Sequence, residues 1–196
     1  MTGMKIIIAI FGKPGSGKSI LSEALKWELI DWFGIAEKDI KMISVGELLK
    51  REVENQTPLG TRIKEPFEKD QLVPQELINP FVHEYLKRHP AEVTIIDGYP
   101  RSVGSVLYMQ EKMSEEYSLA FIKSSVPDDI AAARLKARKE NKIHEKLQEY
   151  HDMVSPAWNE IVSIAPENSY VVNGPGDFDR VIRRNLRHIL VNAKQE

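Results

Sequence analysis

Residues 5–19 read KIIIAIFGKPGSGKS, and this stretch decides the fold. Its first part is short, continuous and rich in isoleucine, which is typical of a strand buried on both faces. The eight residues that follow match the pattern G-x-x-x-x-G-K-[ST] without a gap. Apolar residues then recur at helical spacing from Ser19 to Phe33, where we expect Trp32 to pack against the sheet. The order strand, glycine-rich turn, amphipathic helix predicts a phosphate-binding loop in an α/β fold.

The loop from Gly12 to Ser19 is expected to bind a nucleotide through its phosphates. Its glycines allow a backbone ring whose N–H groups point inward at phosphate oxygens, and the following helix adds its N-terminal dipole. Lys18 is expected at the β- and γ-phosphates and the Ser19 hydroxyl on Mg²⁺. The alternative is a glycine-rich turn without a ligand, but the flanking strand and helix favour nucleotide binding.

Apolar runs alternate with amphipathic stretches along the rest of the chain. Further strands are predicted at Ile40–Ser44, Val93–Asp97, Leu119–Lys123 and Ser169–Asn173. Helical patterns cover Gly46–Glu54, Pro74–Arg88, Val103–Met113, Asp128–Glu140, Ile143–Ile164 and Phe178–Val191, and residues 174–176 predict a turn. Strands separated by such helices imply right-handed crossovers and a parallel sheet covered on both faces.

Composition places the chain among ordinary globular proteins. Its 196 residues carry 27 Lys and Arg against 29 Asp and Glu, which suits one domain, 1–196, and argues against a strongly basic nucleic-acid binder. No window approaches the roughly 18 uncharged apolar residues that a membrane helix requires, and no signal-peptide cleavage pattern is recognised. Because the chain has no cysteine, a disulfide framework is excluded. We expect a cytoplasmic monomer that binds neither nucleic acid nor membrane.

Four charged residues outside the loop are candidates for phosphate chemistry. Asp97 ends an apolar strand, where it would orient Mg²⁺ directly or through water, although a turn role is the alternative. Arg101 follows in the same crevice and suits bidentate phosphate binding, with a surface salt bridge as its alternative. Arg134 and Arg138 share one helical face and suit a transferred phosphoryl group, but a solvated basic helix explains them equally well.

Taken in order, several segments resemble the adenylate kinase family of nucleoside monophosphate kinases over nearly the whole chain. They are Gly12–Ser19, Ile43–Lys50, Thr57–Gly60, Gln71–Pro74, Asp97–Arg101, Val126–Asp129 with Arg134 and Arg138, and Lys146–Pro156. The resemblance implies a P-loop NTPase three-layer α/β fold, with a central parallel five-stranded sheet flanked by helices. It also implies transfer of the ATP γ-phosphoryl, with Mg²⁺, to a nucleoside monophosphate, by default AMP, giving ADP.

The resemblance further implies a helical acceptor-binding insertion at residues 44–73 and a minimal lid at residues 138–146, both closing over the core to exclude water. By position, the catalytic residues are Lys18, Arg101, Arg134 and Arg138. The residues that hold the ATP phosphates are Gly15, Ser16, Gly17, Lys18, Ser19 and Ile20, and those at the metal are Ser19 and Asp97. The residues that hold the acceptor are Val45, Lys50, Gln71, Leu72, Val73, Gly98, Tyr99, Arg101, Ser105 and Lys146.

Some of these positions depart from the family pattern. Lys50 and Lys146 stand where arginine is usual, and lysine lacks the planar fork that holds a phosphate firmly, so we expect them to supply only charge. Val45 replaces a threonine, and Ser105 replaces the amide residue that usually reads the acceptor base. Pyrimidine and deoxy monophosphates therefore stay open as acceptors. The thinned arginine cluster and short lid also leave open a P-loop nucleotide-binding or ATPase module with weak or lost kinase activity.

Overall fold

The computed structural model describes residues 5–69, 71–173 and 178–192, so the predicted turn at residues 174–176 lies outside it. The strands in these ranges are β1 (Lys5–Phe11), β2 (Ile40–Ser44), β3 (Val93–Asp97), β4 (Tyr117–Ser125) and β5 (Ser169–Asn173). They form one sheet in the order β2-β3-β1-β4-β5, and every neighbouring pair is parallel. The predicted parallel sheet is confirmed, and β4 is longer than its apolar run indicated.

Helices connect the strands. They are α1 (Lys18–Asp31), α2 (Val45–Glu54), α3 (Pro58–Glu68), α4 (Gln75–Arg88), α5 (Val103–Tyr108), α6 (Asp128–Ala137), α7 (Ile143–Glu149), α8 (Ser155–Ile164) and α9 (Phe178–Asn192). Single π-helical turns extend α5 over Met109–Met113 and join α7 to α8 over Tyr150–Val154. None of the helices in the described ranges combines the length and the apolar character that crossing a bilayer requires.

The central strand β1 is buried on both of its faces, as its sequence predicted. Its side chains alternate between two apolar clusters, because successive side chains of a strand point to opposite faces. Ile7, with Ala9 and Phe11, joins the cluster under α2 to α5 and α8, and Ile8, with its neighbours two residues away, joins the cluster under α1 and α9. Helices therefore cover both faces of the sheet, and the three-layer P-loop architecture is confirmed.

The prediction for Trp32 is wrong. The buried seam of α1 repeats every four residues through Leu21, Leu25 and Leu29, all fully buried, and the same spacing continues to Phe33, which packs on this cluster. Trp32 follows the last residue of the helix and its side chain is 63% exposed. Its ring is covered instead by Arg183, whose guanidinium carbon lies 4.1 Å from the ring centroid, a cation–π contact.

The predicted helix over 128–140 ends early, and this determines the shape of the loop that follows. The Arg138 N–H is shared between the carbonyls of Arg134 and Leu135, and Lys139 then takes a φ of 58°. Lys142 also has a positive φ, of 53°, immediately before α7 begins. Residues other than glycine rarely adopt a positive φ, and no helix continues through it. Helix α6 therefore ends before Lys139, and α7 begins only after Lys142.

The helices α2 and α3 form a hairpin over the end of β2. The Ser44 hydroxyl caps α2 by accepting from the Glu47 N–H, and the Thr57 hydroxyl caps α3 by accepting from the Gly60 N–H at 3.0 Å. Ile63 of α3 is fully buried in the same cluster as the β1 side chains. The hairpin is thus packed against the core.

Replacing Ile63 with alanine should lower the free energy of unfolding by about 2–5 kcal/mol, because it leaves a cavity in the cluster that joins the hairpin to the sheet. Urea denaturation followed by circular dichroism measures this loss. Ile130→Ala is the matched control, since Ile130 on α6 is 42% exposed and its truncation should cost within about 1 kcal/mol. Equal stabilities for the two variants would contradict the packing.

Candidate active site

A cavity of about 740 Å³ opens at the carboxyl ends of β1 and β3. β1 lies where the strand order reverses, since β3 and β2 follow on one side and β4 and β5 on the other. Ligands of open α/β sheets bind at such a switch point, outside the strand ends. The register aligns Ile10 with Asp97, so the loop after β1 and the acid at the end of β3 meet at the mouth of the cavity.

The glycine-rich loop after β1 is braced by β4 and α6. Gly15 has a φ of 80°, and a Cβ there would lie 2.6 Å from the Ala131 carbonyl oxygen, so a side chain is excluded by both conformation and space. The Ser124 hydroxyl donates to the Ser16 carbonyl at 2.9 Å, and the Arg134 guanidinium donates to the Gly15 carbonyl at 3.2 Å. Within the loop, the Ser16 N–H donates to the Lys13 carbonyl at 3.1 Å, so the loop is held both internally and by two neighbouring elements.

Lys18, the first residue of α1, extends back across the loop and lines the cavity. Its ammonium donates to the carbonyls of Gly12 at 3.0 Å and Lys13 at 3.3 Å. Burial lowers the pKa of Lys18 below its ordinary value, and the positive charges of Arg101 and Arg138 add to this decrease, whereas the nearby Asp97 carboxylate opposes it. Lys18 therefore lies within electrostatic reach of one acid and two other cations.

The Asp97 carboxylate offers a free oxygen at the same place. Its Oδ1 is buried and has no hydrogen-bond partner among the described residues. A buried acceptor without a partner is costly, and carboxylate oxygens are preferred ligands of Mg²⁺. The free Asp97 oxygen at this point of the cavity is therefore a suitable ligand for a magnesium ion. Ser19, the other predicted metal residue, is exposed on the first turn of α1.

Two arginines complete the positive side of the cavity. Arg101, after β3, and Arg138, after α6, both line it and both are exposed. Neither forms an ion pair with an acid in the part of the chain that the structure describes. Guanidinium groups that line a cavity beside a partly buried ammonium suit an anion, and their planar forks suit phosphate.

Most of the predicted acceptor residues also line this cavity. They are Val45, Gln71, Leu72, Val73, Gly98, Tyr99, Ser105 and Lys146. The Tyr99 hydroxyl donates to Asn79 Oδ1 at 3.0 Å, and burial raises the pKa of this phenol above its ordinary value. The Lys146 ammonium donates to Glu140 at 2.8 Å, which closes the short loop between α6 and α7.

Other predicted site residues do not line the cavity. Lys50 is exposed on α2, because its neighbour Leu49 takes the buried position on this helix. Its ammonium lies 4.0 Å from the Glu54 carboxylate. Five further predicted residues are also absent from the cavity lining: Ser16, Gly17, Ser19, Ile20 and Arg134. Arg134 donates to two carbonyls of the loop and is absent from the cavity lining, so in this structure it braces the loop.

Sequence reasoning missed two features of the site. Gln75 lines the cavity from the first turn of α4, and only its position after the Gln71–Pro74 segment could have indicated it. Lys13 of the loop forms an ion pair with Asp128 at the start of α6, and Asp128 also lies 3.0 Å from His151. The hydrogen bonds from Lys13 and His151 hold the pKa of Asp128 below its ordinary value.

Charge substitutions should shift the pKa of Lys18 in opposite directions. Asp97→Asn removes a negative charge that favours the ammonium, so the pKa should fall, and Arg101→Ala removes a positive charge that disfavours it, so the pKa should rise. An NMR titration of the labelled Lys18 side chain measures both shifts. Asp31→Asn, at the other end of α1, is the control and should leave the pKa unchanged. Shifts of the same sign in the first two variants would contradict the arrangement.

Comparison with known proteins identifies the family to which the chain is similar. The family model of adenylate kinase matches residues 10–161. The adenylate kinase of Fusobacterium nucleatum is 30% identical over 183 residues, which cover 91% of this chain and 78% of that protein. The adenylate kinase of Mycolicibacterium vanbaalenii is 29% identical over 188 residues, 92% of this chain and 97% of that protein. The adenylate kinase of a Synechococcus strain is 33% identical over 134 residues, 67% of this chain and 64% of that protein, just under two thirds of its length.

A family match over most of the chain agrees with the parallel sheet, the glycine-rich loop and the cation-lined cavity. The chain belongs to the adenylate kinase family, the ATP-using phosphotransferases that act on nucleoside monophosphates.

Proposed function

We propose that this protein transfers the γ-phosphoryl group of ATP to a nucleoside monophosphate, with AMP as the acceptor and ADP as the product. One observation carries the proposal: a single cavity is lined both by the phosphate loop with Lys18 and by Arg101 with the Gln71–Val73 segment. Two separate groups of phosphate-binding character in one cavity suit two nucleotides. An enzyme that only hydrolyses ATP has no use for the second group.

The donor side is proposed to hold ATP through the loop. The N–H groups around Gly15 and the N-terminus of α1 would receive the phosphates, and Lys18 would reach the β- and γ-phosphates. Asp97, directly or through water, and Ser19 are proposed to hold Mg²⁺, which neutralises charge on the phosphate oxygens when it is bound. The free Oδ1 of Asp97 supports this assignment.

The transfer step is proposed to rest on positive charge and position. A phosphate oxygen of the acceptor forms the new bond to the γ-phosphorus while the bond to the β–γ bridging oxygen breaks, and ADP carries that oxygen away. Lys18 and Arg138 would stabilise the charge on the transferred group, since both line the cavity and lie within electrostatic reach of each other. Arg134 would contribute by holding the loop.

The acceptor side is proposed to lie between the α2–α3 hairpin and the start of α5. Arg101 would bind the acceptor phosphate, because its guanidinium has no acidic partner among the described residues. We assign residues 44–73 as the acceptor-binding unit and residues 138–146 as the lid. Closure of both would exclude water, which otherwise competes with the acceptor for the phosphoryl group.

The second candidate is a P-loop ATPase or nucleotide-binding module that has lost efficient transfer. Two observations favour it: Lys50 lies outside the cavity, and Lys146 is engaged by Glu140. Both lysines occupy positions where the family usually supplies arginine. Under this candidate the cavity would still bind ATP, but the acceptor would not increase its turnover.

ATP consumption measured with Mg²⁺ against AMP, CMP, UMP, GMP, dTMP and no acceptor separates the candidates. We expect AMP to raise ATP turnover well above the rate without acceptor and to yield ADP from both nucleotides. Stimulation by CMP, UMP or dTMP alone would retain the kinase and replace AMP with a pyrimidine acceptor. An equal rate in every reaction, with ATP still bound, would establish the ATPase or binding module instead.

Arg101→Ala should raise the KM for the monophosphate by roughly 10- to 100-fold, because a charge-assisted contact to phosphate is lost, and should change the KM for ATP much less. Steady-state kinetics with each substrate varied in turn measures both. Arg88→Ala, an exposed arginine at the end of α4, is the matched control and should leave both constants unchanged. Full activity of Arg101→Ala on monophosphates would overturn the proposed position of the acceptor.

A further inference from the structure

A side-chain amide is fixed in the acceptor part of the cavity, although the sequence lacks one at Ser105. It belongs to Gln75, the first residue of α4. The Ser102 hydroxyl donates to Gln75 Oε1 at 2.9 Å, and the same hydroxyl accepts from the Ser105 N–H at 3.2 Å as the cap of α5. The orientation of the amide is thus set by a serine that is itself anchored in a helix cap.

The fixed amide keeps both an acceptor and a donor available for a ligand. Oε1 retains one lone pair beyond the bond from Ser102, and Nε2 carries two donors that have no partner among the described residues. A donor and an acceptor side by side are what the edge of a nucleobase requires. Ser105 beside it offers one hydroxyl, which lies 3.1 Å from the Ser102 hydroxyl and is engaged there.

Space for this amide is provided by Gly104. A Cβ built on Gly104 would overlap Gln75 Oε1 and lie 2.5 Å from Nε2, so the amide rests directly on the backbone of α5. Any side chain at this position would push the amide away. Because the obstructing atoms are the end of a flexible side chain, the fold itself can accept alanine at position 104.

We propose that the Gln75 amide recognises the base of the acceptor monophosphate, and that the hydrogen bond from Ser102 fixes the positions of Oε1 and Nε2. With Oε1 and Nε2 fixed, only one order of donor and acceptor on the base is matched. For AMP, the acceptor of the proposed function on which this inference rests, the amino group donates to Oε1 and a ring nitrogen accepts from Nε2. A 6-oxopurine presents an acceptor in place of that amino group and is disfavoured.

IMP is the probe, because its base differs from that of AMP in having an oxo group instead of the 6-amino group. The quantity measured is the ratio of kcat/KM for AMP to kcat/KM for IMP, with the ratio of their affinities from calorimetry beside it. Gln75→Ala should lower both ratios by about tenfold or more, mainly through weaker AMP binding, with little change in the KM for ATP.

Gly104→Ala tests the geometry without removing the amide. It should lower the ratios as Gln75→Ala does, while alanine in place of glycine within α5 keeps or raises the thermal stability. In the double variant Gly104→Ala should add less than about twofold, since the amide that it displaces is already absent. Gln110→Ala, an amide outside the cavity, is the matched control and should leave the ratios unchanged.

The outcomes separate this inference from the proposed function. Unchanged AMP-to-IMP ratios in Gln75→Ala, or a wild type without preference for AMP, would overturn the role of Gln75 even if the protein is an active kinase. Loss of the affinity preference in Gln75→Ala and Gly104→Ala supports that role even if no monophosphate is phosphorylated, in which case only the proposed function fails.

Discussion

The partly buried Lys18 ammonium is the group around which the charges of the cavity are arranged. Taking a charge out of water is unfavourable, and burial accordingly lowers the pKa of Lys18. Two loop carbonyls and the Asp97 carboxylate compensate for part of this cost. Arg101 and Arg138 increase it, because they add positive charge to the same space. An anion in the cavity would offset both the desolvation and the repulsion, so the cavity is electrostatically preorganised for an anion such as a polyphosphate.

The position of Lys18 depends on contacts made by three neighbouring elements. Asp97 reaches Lys18 only because β3 pairs with β1 in a register that brings their carboxyl ends together. The loop that carries Lys18 is held from β4 through Ser124 and from α6 through Arg134. These supports belong to the sheet and to α6, so the position of the Lys18 ammonium does not depend on the α2–α3 hairpin.

The strongest predictions from sequence concern features that are local in the chain. The strand at Lys5–Phe11 and the loop after it are contiguous patterns whose spacing specifies their conformation, and the structure has them there. The prediction that Trp32 packs against the sheet failed because the helix ends one residue before it, and periodicity specifies helix ends poorly. Arg134 and Gln75 could not be assigned from spacing, because their partners lie far away in sequence: Gly15 for the first and Ser102 for the second.

The loop between α6 and α7 has a thermodynamic consequence. Only residues 138–142 separate α6 from α7, and the Lys146 ammonium donates to Glu140 across this turn. Ordering a flexible segment costs about 1–2 kcal/mol of backbone entropy for each residue fixed, and that cost is deducted from ligand affinity. A long covering segment would incur this cost at every encounter with ATP, whereas a connection this short and already held has little freedom left to lose. This loop should therefore add only a small conformational entropy penalty to nucleotide binding.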